Sequence, residues 1–250
     1  MLDLFAGVGG ATLAADSLGI QTTQFVEINP LAQLILRSHY PHIPIHSDIQ
    51  DYWPKQHEFD IFWISFPCTG TSIAGTRTGL KHSASALWRE ALRCVCIGQP
   101  RIVIVEQPEG FIRRGLRTVL GALQMAGYTS EVEIISAAEL GAMHRRLRVF
   151  IVSYSNELFP PNYSLPTRWS DTVRSMVEKT RNSAQWLSVK RTSDRIIPCL
   201  PPELVRLPIA VPNRYPGRLL SRQLAGNVVC PPQALVALKR AVYLLEISET

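Results

Sequence analysis

Two stretches of the chain are apolar almost without interruption: residues 60–65, Asp-Ile-Phe-Trp-Ile-Ser, and residues 101–106, Arg-Ile-Val-Ile-Val-Glu. A strand with one solvated face alternates apolar and polar side chains, so unbroken apolar runs predict strands covered on both faces. Covering both faces takes helices, and the flanking sequence supplies them. Residues 1–5 read as a strand, followed by a glycine turn and a helix over 11–18. A second strand spans 22–27, a helix spans 31–38 after Pro30, and residues 43–45 lead to Asp48. Residues 86–97 and 111–125 read as helices, and 129–135 and 148–154 as the last strands of the series. Strands alternating with helices imply an α/β fold built on a mostly parallel, doubly wound sheet.

The pattern breaks over residues 155–216, which hold 9 of the 18 prolines and few periodic stretches. A structureless interval of this length is uncommon in a compact domain unless it has a task, so it reads as a long loop system or a small irregular subdomain. A Gly226-Asn227 turn, Pro231-Pro232 and a helix over 233–245 follow. Charge divides along the same line. Residues 1–100 carry 6 basic and 8 acidic side chains, and the remaining 150 carry 20 and 12, so the +6 total is made of −2 and +8. A basic half suggests a polyanionic partner; a scattered, solvated surface is the alternative. With 46% apolar residues the chain can bury enough surface to exclude intrinsic disorder. No apolar run approaches the roughly 20 residues of a membrane helix. Residues 1–5 lack a basic n-region and read as a buried strand, not a signal peptide. The five cysteines fit no zinc framework, which points to a reducing compartment and no metal.

In such sheets ligands sit beyond the carboxyl ends of the strands, and the chemically suggestive residues gather there. Asp3-Leu4-Phe5-Ala6-Gly7-Val8-Gly9-Gly10 is a strand-to-helix glycine turn that lets a cofactor approach the backbone, or simply a tight turn. Thr12 spoils the dinucleotide fingerprint. Glu27 could accept hydrogen bonds from ribose hydroxyls or serve as a helix N-terminal charge, and Asp48 could meet an adenine amine or cap a turn. The trio suits an adenosine-bearing cofactor without a pyrophosphate. Cys68 follows Phe66-Pro67 at a buried strand end and precedes a small, polar, loop-like stretch. It is a nucleophile if its pKa falls, and an inert core thiol otherwise. Cys94, Cys96, Cys199 and Cys230 read as structural. Glu106 is a candidate acid at a strand end or a salt-bridge partner. Arg145, Arg146 and Arg148 could hold phosphate or a reacting ring, or form a solvated basic edge.

Taken together and in order, these residues resemble the cytosine-5 DNA methyltransferases over nearly the whole chain. Asp3–Gly10 matches the family's first motif, Pro67-Cys68 its nucleophile motif, and Glu106 the acid of its Glu-Asn-Val motif. His144-Arg145-Arg146-Leu147-Arg148 stands where the family has Gln-x-Arg-x-Arg, and Ala225-Gly226-Asn227-Val228-Val229 matches its C-terminal Gly-Asn motif. The resemblance implies a Rossmann-like, class I methyltransferase sheet with a small irregular target-recognition subdomain. Residues 1–154 would form the catalytic and cofactor-binding domain, 155–216 the target-recognition region, and 217–250 a return to the catalytic domain.

The implied activity is transfer of a methyl group from S-adenosylmethionine to carbon 5 of a cytosine flipped out of double-stranded DNA, through a covalent adduct to Cys68. Glu106, Arg146 and Arg148 would complete the catalytic set. Phe5, Gly7, Gly9, Gly10, Glu27, Ile28, Asp48, Ile49, Pro67 and Asn227 would bind the cofactor, with Ile28 and Ile49 flanking adenine. Ser72, Arg77, His144 and Arg145 would contact DNA. The resemblance further implies a cytoplasmic, non-secreted, monomeric enzyme of a bacterial or viral restriction-modification setting, leaving S-adenosylhomocysteine as product. Departures from the family pattern are Phe66 for a proline, Gln107-Pro108 for Asn-Val, His144 for glutamine, and a short recognition region. A tRNA cytosine-5 methyltransferase and a catalytically weakened DNA-binding relative are the alternatives.

Overall fold

A computed structural model of the chain describes residues 1–67, 83–142, 145–182 and 229–249. Seven strands form one sheet: β1 (Leu2–Leu4), β2 (Gln24–Val26), β3 (Ile45–His46), β4 (Ile61–Ile64), β5 (Ile102–Pro108), β6 (Tyr128–Ser136) and β7 (Leu147–Ser155). Their order across the sheet is β3-β2-β1-β4-β5-β7-β6. The first five pair in parallel, while β7 runs antiparallel to both β5 and β6. The helices are α1 (Gly10–Asp16), α2 (Pro30–His39), α3 (Ser83–Gly98), α4 (Phe111–Arg114), α5 (Leu116–Met125), α6 (Trp169–Asn182) and α7 (Pro231–Ser248). None of the described helices is long and apolar enough to cross a membrane.

The unbroken apolar runs behave as a doubly covered sheet requires. Successive strand side chains point to opposite faces, so Trp63, Ile102, Ile104 and Phe150 enter one core layer. Phe62, Ile64, Val103, Val105 and Ile151 enter the other. Side chains from α1, α6 and α7 close the first layer, and side chains from α3 and α5 close the second. Glu27 and Asp48 lie just beyond the ends of β2 and β3.

Two local readings change. The single helix expected over 111–125 is two helices broken at Gly115, where a Cβ would stand 2.3 Å from the Phe111 ring. Phe111 is fully buried, and its ring takes the space that a side chain at 115 would need. The interval beginning at 155 contains α6, a 14-residue helix. Trp169 is buried, and Val173, Met176 and Val177 lie against the same apolar layer.

The C-terminal helix is fixed to the sheet by an ion pair. Arg240 on α7 is 1% exposed. It donates from Nε and Nη2 to the two carboxylate oxygens of Glu131 on β6 (2.8 and 2.9 Å), and from Nη2 to the Thr167 carbonyl (2.9 Å). A buried pair costs most when only one partner is removed. Arg240→Leu is therefore expected to lower unfolding stability by about 3 kcal/mol in urea titrations, and adding Glu131→Leu to restore much of the loss.

Candidate functional site

Past Leu4 the chain must turn at once into α1. Phe5 takes a left-handed φ of 62° and Gly7 one of 58°. A non-glycine residue at positive φ is strained; here Phe5 and Ala6 donate their N–H groups to the Val26 carbonyl, at 2.8 and 3.2 Å. The Phe5 ring is half-buried against the second core layer. Gly9 caps α1 without a side chain. At Gly10 a Cβ would lie 2.3 Å from the Val229 carbonyl oxygen, so glycine permits the chain before α7 to touch the start of α1.

Glu27 joins this turn to the next strand end. Its carboxylate accepts the Gly7 N–H on Oε2 and the Asn29 N–H on Oε1, both at 2.7 Å. Burial raises its pKa, while backbone N–H groups of Asn29, Gly7 and Ile28 pull it down. A carboxylate offers about four acceptor positions, so these bonds leave capacity for a further donor. Ile28 beside it is 66% exposed, an apolar surface next to an acceptor. Gln33 on α2 ties the two loops by donating to the Glu27 carbonyl (2.6 Å) and to Ser47 Oγ (3.3 Å).

Asp48 caps the short 3-10 turn Ile49–Asp51, accepting the Gln50 N–H at 2.9 Å. Ile49 is buried in the second core layer. A residue that the sequence did not single out holds this turn. Arg93 on α3 donates to the Ile49 and Tyr52 carbonyls (2.7 and 3.1 Å), pairs with Glu90 (2.7 Å) and lies 4.3 Å over the Trp53 ring. Arginine's rigid fork suits several simultaneous acceptors. The only sequence signal was its place one turn beyond Glu90, which reads as a surface pair.

At the centre of the sheet, Ile64 pairs with both Leu4 and Val105. Ser65 continues toward exposed Pro67, and Glu106 is the next residue of the neighbouring strand. Arg148 Nε lies 2.7 Å from Glu106 Oε1, a largely buried charge contact not aligned as a hydrogen bond. Arg148 stands opposite Pro108 in the ladder. Arg145 is exposed and Arg146 half-buried just ahead of β7. Gln233, fully buried on α7, donates to the Ile135 and Arg146 carbonyls (2.7 and 2.9 Å) and so holds the approach to β7. The Gln107-Pro108 departure keeps a backing bond: Gln107 Nε2 donates to the Phe66 carbonyl at 2.9 Å. Phe66 itself packs against Trp88 and Phe111. Cys68, Ser72, Arg77, His144 and Asn227 lie outside the described residues. Of the cysteines inside them, Cys94 is buried, and burial pushes its thiol up to about 11.

The C-5 cytosine-specific DNA methylase family model matches residues 1–196. The chain belongs to this family. The chain is 29% identical over 171 residues to the Type II methyltransferase M.HgiCII of Herpetosiphon aurantiacus, covering 66% of itself and 39% of that protein. It is 32% identical over 163 residues to M.CviJI of Paramecium bursaria Chlorella virus IL3A, covering 64% of itself and 44% of the relative. The chain therefore spans less than half the length of these two relatives. Among solved structures, the S. pombe Dnmt2 methyltransferase superposes with a TM-score of 0.55 at 17% identity, over 70% of this chain and 53% of that one. At that identity the likeness concerns the fold: the mixed seven-stranded, Rossmann-like sheet of class I methyltransferases.

Asp3, beneath the glycine turn, is 1% exposed. Burial and nearby Glu27 push its carboxyl up to about 7, although Thr12 donates to it at 3.0 Å. Its folded pKa exceeds its unfolded value, so the folded state holds this proton more tightly. Its stabilising contribution is full below about pH 4 and is lost as pH rises through about 7. Urea midpoints measured between about pH 4 and pH 8 should fall more steeply for the wild type than for Asp3→Asn.

Proposed function

We propose that this chain transfers a methyl group from S-adenosylmethionine to carbon 5 of cytosine in double-stranded DNA. The observation that carries the reading is the side-by-side placement of two strand ends. β4 leads through Pro67 to Cys68, and adjacent β5 presents Glu106 against Arg148. A thiol that follows the end of β4 in sequence and an enclosed carboxylate on β5 are the groups needed to activate a pyrimidine ring.

The described residues fit the cofactor. Glu27 has acceptor capacity for ribose hydroxyls and Ile28 an exposed apolar face for adenine. The capped Asp48 turn lies on the neighbouring strand end, and the Phe5–Gly10 turn offers bare backbone that would run past the methionine portion. Asn227 would approach the cofactor carboxylate. When bound, the cofactor supplies an electrophilic sulfonium methyl group.

The protein's task is to make carbon 5 nucleophilic. The Cys68 thiolate adds to carbon 6, and Glu106 engages ring nitrogen 3 and the exocyclic amine, offsetting the charge that addition creates. Arg148 holds Glu106, and Arg146 borders the ring. After carbon 5 is alkylated it loses its proton, and the electron pair returning to the ring expels Cys68. A base within a duplex is out of reach of a thiol, so it must be flipped out. Ser72, Arg77, His144 and Arg145 would support that state from the DNA side. Residues 1–154 would supply the catalytic and cofactor-binding unit, 155–216 the recognition region, and 217–250 the return to the catalytic unit.

Cys68→Ser should reduce incorporation of labelled methyl groups into duplex DNA by at least about a thousandfold, while calorimetric binding of S-adenosylhomocysteine stays unchanged. Wild-type protein should also form a stable adduct with duplex containing 5-fluorocytosine. Full turnover by the serine variant would overturn the assignment, and incorporation into tRNA alone would redirect it to the RNA substrate.

A further inference from the structure

Resting on the proposed DNA substrate, we infer that Arg113 and Arg117, with Arg145, form a fixed basic ridge that grips the duplex phosphate backbone beside the Glu106–Arg148 pair. The ridge begins where β5 ends. Pro108 lies opposite Arg148, and the chain then turns through Glu109 and Gly110 into α4. Arg145 stands three residues ahead of Arg148 on the other segment, so both segments leave the sheet at one end. Residues 109–130 contain Arg113, Arg114 and Arg117 against a single acid, Glu109.

The mounting of α4 separates this cluster from an ordinary solvated surface. Phe111 is fully buried with its ring 6.0 Å from that of Phe66, immediately before Pro67-Cys68. Gly115 lies against the same ring, where a Cβ would come within 2.3 Å. The α4–α5 corner is therefore locked to the strand end that leads to the nucleophile. Arg113 and Arg117 project from that corner and are exposed.

Their partners, or lack of them, point the same way. Arg93, Arg101, Arg148, Arg174 and Arg240 each lie against a carboxylate. Among the described residues, Arg113, Arg117 and Arg145 make no ion pair or side-chain hydrogen bond. Guanidinium groups bind phosphate oxygens through paired N–H donors. Contacts to phosphate position a duplex without reading its sequence. A rigid ridge next to the reacting groups would set the register of the strand from which the base is extruded.

The test is a salt series on the full chain. Fluorescence anisotropy with a labelled duplex of about 20 base pairs gives log affinity against log salt for wild type, Arg113→Ala/Arg117→Ala and Arg113→Lys/Arg117→Lys. Each lost phosphate contact flattens the slope by about 0.9, so the alanine pair should be shallower by about 1.8 and bind about tenfold more weakly at low salt. The lysine pair should keep the wild-type slope. Thermal midpoint and S-adenosylhomocysteine binding should match wild type in all three proteins. An alanine pair with the wild-type slope overturns the ridge, as does a slope change seen with tRNA and not with duplex. Methyl incorporation by the wild type is measured on the same duplex. Its absence alongside a flattened slope would sink the proposed reaction and leave the ridge standing.

Discussion

The carboxylate of Glu27 is where the sheet's edge becomes a site. Both of its oxygens accept backbone N–H groups, one from the turn after β1 and one from the turn after β2. The price is a charge kept largely out of water, which raises its pKa. Gln33 repeats the arrangement one layer further out, joining the Glu27 backbone to the loop after β3. Three consecutive strand ends are thus laced by side chain-to-backbone bonds, and the glycine turn keeps its shape because of them. Asp3 beneath and Phe5 beside the turn are strained or buried in ways that such lacing must hold.

The same economy recurs across the sheet. Arg93 secures the Asp48 turn, Gln107 the strand end before Pro67, and Gln233 the entry to β7. Each reaches a main-chain carbonyl from a neighbouring element, so each fixes where a strand end lies instead of contributing a reactive group. Buried polar groups of this kind are satisfied only in one arrangement of the backbone, which favours a single geometry for the edge.

Fold class was legible because burial on both faces leaves a direct trace in composition. The runs at 61–64 and 102–105 contain only apolar side chains, and no other sheet environment demands that. The helix at 169–182 was hidden: its apolar residues, Trp169, Val173, Met176 and Val177, are few and set among charges, and flanking prolines masked the spacing. The break at Gly115 depends on where the Phe111 ring lies, and its packing against Phe66 is a tertiary contact no local pattern encodes. The acid–base reading of Glu106 and the salt-bridge reading were both open in sequence; the contact with Arg148 supplies the salt bridge. Arg240 and Gln233 were invisible for a general reason. A polar residue on an amphipathic helix is assigned to solvent by periodicity, and only the opposing strand reveals a partner.

The strand β6 forms one margin of the sheet, and its outer ladder is nine residues long. Among the described residues no strand pairs beyond it, and an unpaired margin of that length invites a second copy to add on edge to edge. Glu131 and Glu133 flank Val132 on it. Glu131 is already paired with Arg240, but a two-fold antiparallel pairing centred on Glu133 would oppose the two Glu133 side chains. Like charges directly opposite destabilise a ladder. Burial, and secondarily Glu131, already hold the Glu133 carboxyl above its usual range, so acid neutralises it more readily than an ordinary glutamate. The opposite margin, β3, is only two residues long and offers little to copy. Self-assembly through the sheet is thus opposed by charge at one border and by brevity at the other, and acidification weakens only the first.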